Sequence, residues 1–426
     1  MSMMNTTANP MTNDADVVVI GAGPAGLTAA TAAAGRGLRT VVIEHAKTPL
    51  RKLLISGKGR CNLTNDCSRY DYLNNVIRGA RFLYSSSSAW APQDIRAHFE
   101  SLGVPLKTER GGRVFPVSDK SRDIADAILS EARNAGVRIV HGNAASIRTE
   151  EGTVAAVVLA DGTQIRCSAA VLATGGLSYP ATGSDGSGYR LATELGHTLT
   201  EPKASLVPLL CAEPWCAELQ GLSLRNVTLT AKKGKKTLFS ELGEMLFMPG
   251  GVTGPLVLSL SSVAAREDWS GIRMSVDLKP ALTEEQLDAR ILRDFSQGMN
   301  RDFRNSLSDL LPRKLIPVIV KLSGIDPQTK LNSLRATDRR RLTALIKALP
   351  LTPEGPAPIA EAIVTSGGIP TKEIDPATMM SKIVKNLHFA GEIIDVDALT
   401  GGYNLTAAFS TGRAAGNHVL GGTESR

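Results

Sequence analysis

Apolar residues gather in short runs broken by glycine-rich turns. The stretch "DVVVIGAGPAGLTAATAAAGRGLRTVVIE" (16–44) opens with a β-branched run, Asp16–Ile20. Such a run suits a strand buried on both faces. An alanine-rich segment follows and predicts a helix able to pack close to a sheet. "RTVVIE" predicts a second strand ending at Glu44. Similar runs return at "GVRIVHGNAASI" (136–147), "CSAAVLATGG" (167–176) and "LHFAGE" (387–392), the last leading into a helix after Gly401 and Gly402. The middle differs. Residues 196–280 alternate strand-like runs with turn residues, and "KKGKK" (232–236) reads as a solvated hairpin turn. From "LTEEQLDARILRDFSQGM" onward the apolar spacing turns helical, opened by a capping box of Thr283 and Gln286.

The two ends therefore predict one domain, residues 14–195 and 352–420. Residues 196–280 predict an inserted β domain and 281–351 an inserted helical subdomain, with flexible ends at 1–13 and 421–426. The fold class is α/β: a Rossmann-like, cofactor-binding parallel sheet with helices, interrupted by a small β-barrel-like domain and a helical subdomain.

The first strand–turn–helix carries chemistry. Gly21, Gly23 and Gly26 form GxGxxG: the first permits the tight turn, the second admits a pyrophosphate, the third lets helix and strand close. Ala25 lies in the helix's first turn, whose N–H groups and dipole face the phosphates. Glu44 can accept from both hydroxyls of an adenosine ribose and disfavours a 2′-phosphate, which points to FAD or NAD. The segment "RKLLISGKGRCNLTN" (51–65) follows at once. It is polar and needs partners. A flavin beyond the pyrophosphate would supply them, with Arg51 and Lys52 near ribose and pyrophosphate.

This segment resembles the signature of the YhiN/BaiN-type family of bacterial FAD-dependent, NAD(P)-linked oxidoreductases, some of them aminoacetone oxidase-like, related to the fumarate reductase and succinate dehydrogenase flavoproteins. The resemblance extends through "GGRVFPVSDKS" (111–121), "LATGGLSYPATGSDGSGYRLATELGH" (172–197), "GEMLFMPGGVTGPLVLSLSS" (243–262) and residues 365–416, with departures at Met248 and Thr253. It implies FAD contacts from Gly59, Arg60, Cys61 and Asn62, from Thr174, Gly175 and Gly176, and from Gly391 and Glu392. Glu392 would reach the ribityl hydroxyls. The helix after Gly402 would aim Asn404 and the Leu405 backbone at the flavin N1/O2 edge. The backbone near Ala144 could approach the adenine, and Asp395 is either a polar anchor or a strand-end acid.

Tyr179 and Tyr403 are candidate proton donors and Arg113 a candidate anion or carbonyl clamp. Only one dinucleotide fingerprint is present, so NADH or NADPH would bind transiently. The family's substrates range from conjugated double bonds in steroid-like acids to amines, which leaves a small organic molecule as the expected partner. The alternatives are an FAD-dependent RNA-modifying enzyme and a non-catalytic flavin-binding protein.

Composition adds little. The net charge is +7, but the basic residues are spread without interleaved aromatics, which argues against a nucleic-acid partner. Five cysteines at irregular spacing make neither a disulfide framework nor a metal site. Cys61 and Cys67 do not have the spacing of a disulfide-reductase pair. No run is long enough to span a membrane, and a cytoplasmic protein is expected. Oligomeric state is not readable.

Overall fold

The computed structural model describes residues 14–421, so the ends expected to be flexible lie, apart from Gly421, outside the described residues. The chain divides into two compact units, one running up to Pro202 and resuming at Val364, the other Lys203–Ile363.

The first unit is built on strands β1 (Val17–Ile20), β2 (Thr40–Glu44), β3 (Arg138–His141), β4 (Ala169–Leu172) and β5 (Leu387–Phe389). They form one parallel sheet in the order β5-β4-β1-β2-β3. The central strands β1 and β4 are buried at every position, which is why they read as unbroken apolar runs. Helix α1 (Pro24–Ala34) follows β1, α2 (Arg51–Gly59) follows β2, and α3 (Tyr403–His418) closes the unit.

Helices α1 and α3 meet at glycine. A methyl group on Gly412 would sit 2.4 Å from the Ala25 carbonyl oxygen, and one on Gly416 2.2 Å from that of Ala29. Only a bare backbone allows this approach. It fixes α3, from the far end of the chain, against the helix that carries the first glycine motif.

The second unit carries a seven-stranded sheet. Its long hairpin, Ser223–Lys233 with Lys236–Met248, turns at Gly234 (φ 57°), as "KKGKK" predicts. The two edge strands, Leu349–Leu351 and Pro353–Pro356, are consecutive in the chain, so the sheet curls round to its own edge. Helices Glu284–Ser296, Ile316–Ser323 and Ala336–Lys347 share the apolar core of this sheet. The capping box forms as expected: Gln286 N donates to Thr283 Oγ1 and Thr283 N to Gln286 Oε1.

Candidate functional site

The three motif glycines do different jobs. Gly21 has φ 105°, and a methyl group there would lie 2.5 Å from the Ala173 carbonyl oxygen. On Gly26 it would lie 1.9 Å from the Gly21 carbonyl oxygen. On Gly23 it would meet nothing within 4 Å. Two glycines thus close the backbone, and the third faces open space at the amino end of α1. That is the division a pyrophosphate requires. Glu44 accepts from Ala22 N (2.8 Å) and Ala46 N (2.7 Å), which holds its carboxylate beside this turn. Ala144 is buried at the start of the strand Ala144–Glu150, two residues beyond Gly142, whose N–H donates to the Glu44 carbonyl.

The polar segment after β2 is tied to the turn by Leu50 N donating to Ala22 O. It is helical only at its start. Ser56 is extended, and Gly57, Lys58, Gly59 and Cys61 all have positive φ. The chain then passes under α3. A methyl group on Gly402 would lie 2.3 Å from Thr64 O. Asn65 Nδ2 donates to Gly111 O and Gly401 O, both at 3.0 Å. Asn62, with its amide oriented to satisfy both partners, accepts from Gly402 N and donates to Thr64 O. Thr64 and Thr406 hydroxyls meet at 2.8 Å. The amino end of α3 is therefore positioned by the segment that follows the ribose acid.

A polar knot joins three motifs. Lys52 Nζ lies 2.7 Å from Glu392 Oε2 and donates to Ser178 Oγ. Ser178 Oγ and Thr365 N both donate to Glu392 Oε1. Burial works to raise the Glu392 carboxyl, but Lys52 and these donors outweigh it and leave it below its ordinary value. Near the knot, Thr174 Oγ1, Tyr189 Oη and Ser366 Oγ are buried with no protein partner. Buried hydroxyls ordinarily have one. A polyhydroxylated dinucleotide such as FAD fits residues left in this state, as it fits the open face at Gly23.

The structure places the expected residues unevenly. Gly391 packs against Ala25, and Gly175 and Gly176 against Ser184 and the Thr365–Glu392 pair, so these motifs do converge. Arg60 is turned elsewhere: it pairs with Glu109 (2.8 Å) and Asp119 (3.2 Å) and stacks on Phe115. Arg113 is exposed and donates to Arg110 O. The Asn404 side chain holds the preceding loop, through Ala398 N and O, and does not point its amide away from the protein. Arg51 is exposed at the start of α2, and Asp395 is half-buried with its N–H on Ile369 O. Tyr179 is half-exposed in a left-handed turn (φ 51°). Tyr403 is buried, and burial pushes its phenol up to about 12. Burial likewise pushes the thiols of Cys61 and Cys67 up to about 12 and about 11. All five cysteines are free.

Sequence reasoning missed Asn65, Ser178, Thr365 and the buried pair Arg78–Asp397 (2.9 Å). Asn65 stood inside a quoted motif, and its type could have flagged it. The others are ordinary polar residues that only the fold brings together. Among the described residues no helix is long and apolar enough to cross a membrane, and no cluster could hold a metal ion.

Residues 15–418 match the family described as "HI0933-like protein Rossmann domain". A 3-dehydro-bile acid delta(4,6)-reductase of Clostridium scindens is 31% identical, over 93% of this chain and 97% of its own. A ribosomal RNA dihydrouridine synthase of Escherichia coli is 30% identical, over 96% of this chain and 99% of its own. Among solved structures, a 3-ketosteroid-delta4-(5alpha)-dehydrogenase from Rhodococcus jostii RHA1 shares the fold, with a TM-score of 0.52 at 16% identity and 97% of each chain covered.

Proposed function

The chain belongs to the HI0933-like Rossmann-domain family and is an FAD-dependent oxidoreductase, and from that premise we propose that it reduces a carbon–carbon double bond conjugated to a carbonyl. One observation carries this reading. Two near-full-length relatives are named for unrelated molecules, yet both names describe that bond: a delta(4,6) unsaturation of a 3-oxo bile acid, and the uracil C5=C6 bond beside its C4 carbonyl.

When bound, FAD supplies the two-electron carrier. Gly21, Gly23, Gly26 and Glu44 would hold its nucleotide half, and Thr174, Glu392 and the Gly59–Asn62 segment its ribityl and flavin half. The amino end of α3, held by Asn62, Thr64 and Asn65, offers a positive dipole end where negative charge gathers. Tyr403 heads that helix and stays protonated at neutral pH, so it can give a proton to the substrate α-carbon or oxygen. A nicotinamide donor binds transiently. The free cysteines suit a reducing, cytoplasmic setting.

The test is anaerobic. Protein reduced by NADH or NADPH is mixed with a cyclic enone, and flavin absorbance is followed. Reoxidation by the enone is expected, slowed about 10²-fold or more in Tyr403→Phe. Flavin that stays reduced with the enone and is reoxidised only once air is admitted would overturn the reading. A second substrate, a uracil base in RNA, is favoured by the E. coli relative.

A further inference from the structure

The basic and aromatic residues that look dispersed along the whole chain are interleaved in one place, "RYDYLNNVIRGARFLY" (69–84). The fold sorts them by face. Tyr72 and Phe82 are buried, whereas Tyr70 is 73% and Tyr84 56% exposed. The Arg69 guanidinium lies 4.5 Å from the centre of the Tyr84 ring and donates to its hydroxyl at 3.3 Å. Arg81 is exposed one turn before Tyr84. Of the nearby acids, Asp66 is paired with Arg96, whereas Asp71 is exposed and its carboxylate, hydrogen-bonded only to Ser68 among the described residues, keeps its charge beside the two arginines. On the inner side the same helix, Arg69–Asn74, sets Tyr72 against Tyr403, their ring centres 6.3 Å apart. The outer face is thus an aromatic and cationic surface backed directly onto the head of α3.

Exposed tyrosines have flat faces that stack on any base, and an arginine over one of them holds its plane in place while countering backbone phosphate. Folded double-stranded nucleic acid hides its base faces. A single strand presents them. We propose that Arg69, Tyr70, Arg81 and Tyr84 form a stacking platform for single-stranded RNA, an inference that rests on the uracil reading of the substrate. The platform would hold nucleotides flanking the reacting base, so it is a binding surface and carries no chemistry.

The experiment uses the full-length, FAD-loaded protein and a fluorescein-labelled oligouridylate of about 12 nucleotides. The parent should bind it saturably, more weakly as salt rises, and more tightly than a duplex of equal length. The double variant Y70A/Y84A should lose about tenfold or more in affinity. Y70F/Y84F should retain binding, because the rings remain. FAD content and enone-driven flavin reoxidation should be unchanged in both. Failure of the parent to bind, or equal binding by Y70A/Y84A, would overturn the platform. Self-association lost in Y70A/Y84A with RNA binding intact would assign the face to a second copy of the chain and also overturn it. The substrate reading fails separately: if the parent binds the oligonucleotide through these tyrosines but its reduced flavin is never reoxidised by uridine-containing RNA, the platform stands and the uracil reading falls.

Discussion

The two units bury polar groups in different ways. In the inserted unit the core is aliphatic and aromatic, its largest members including Trp215, Phe247, Phe295 and Phe303. Some of its ion pairs, such as Lys330–Asp302, stand near the surface, and others, Lys347–Asp277 and Arg339–Asp288, are partly buried, but none includes a fully buried carboxylate among the described residues. In the first unit charges are drawn inward: Asp397 is fully buried against Arg78, and Glu392 is held by Lys52. Every described buried side-chain atom without a protein partner also belongs to the first unit: those of Tyr72, Thr174, Tyr189, Ser366 and His388. A fold selected only for stability avoids such atoms. Three of them, on Thr174, Tyr189 and Ser366, belong to the motifs that converge on the Lys52–Glu392 pair.

Four measurements test this contrast. Gly26→Ala should have the largest effect. Its methyl group has only 1.9 Å to the Gly21 carbonyl, so the turn must open. We expect a loss of about 3–5 kcal/mol in denaturant unfolding and loss of FAD from the purified protein. Gly23→Ala should change stability by no more than about 0.5 kcal/mol while FAD affinity falls. Equal stability losses in the two variants would show that Gly23 is also structural.

Asp397→Ala comes next. It takes the buried carboxylate away from Arg78 and should destabilise the protein by about 3–5 kcal/mol. Asp302→Ala, at the more exposed pair with Lys330, should cause about 0–1 kcal/mol. Similar losses would show that burial does not set the difference between these two pairs.

His388 should give a smaller effect, visible only with pH. Burial depresses its imidazole from 6.5 to about 4. The unfolded chain therefore binds a proton first. The stability this neutral histidine contributes is present above pH 6.5 and is lost as pH falls toward about 4, by on the order of 3 kcal/mol. Urea midpoints between about pH 7 and 4 should fall in the parent and flatten in His388→Gln. A parallel fall in both would assign the loss to other groups.

Cys67→Ser should do least. The raised thiols of Cys61 and Cys67 make them poor redox partners. Dithionite should deliver two electrons per flavin with or without Cys67. Four in the parent and two in the variant would reveal a redox pair.

Some of this protein is written in local sequence. The β-branched run before Gly21, the glycine spacing, the acid at Glu44, the hairpin at Gly234 and the capping box at Thr283 each depend on residues close together along the chain. Backbone sterics and hydrogen bonding dictate them wherever they occur. Other features needed the folded chain. Arg60 sits in a cofactor-like motif, yet Glu109 and Asp119, brought up by the strands Leu106–Glu109 and Arg113–Pro116, draw its charge away. Asn404 heads the right helix, but its amide closes the loop before it. Ser178, Thr365 and Glu392 come from separate parts of the chain, and no spacing rule joins them to Lys52. The physical reason is range. A turn or a cap is settled by neighbours along the backbone, whereas the partner of a charged or hydroxyl group is whichever group the packing of distant elements brings within about 3 Å of it.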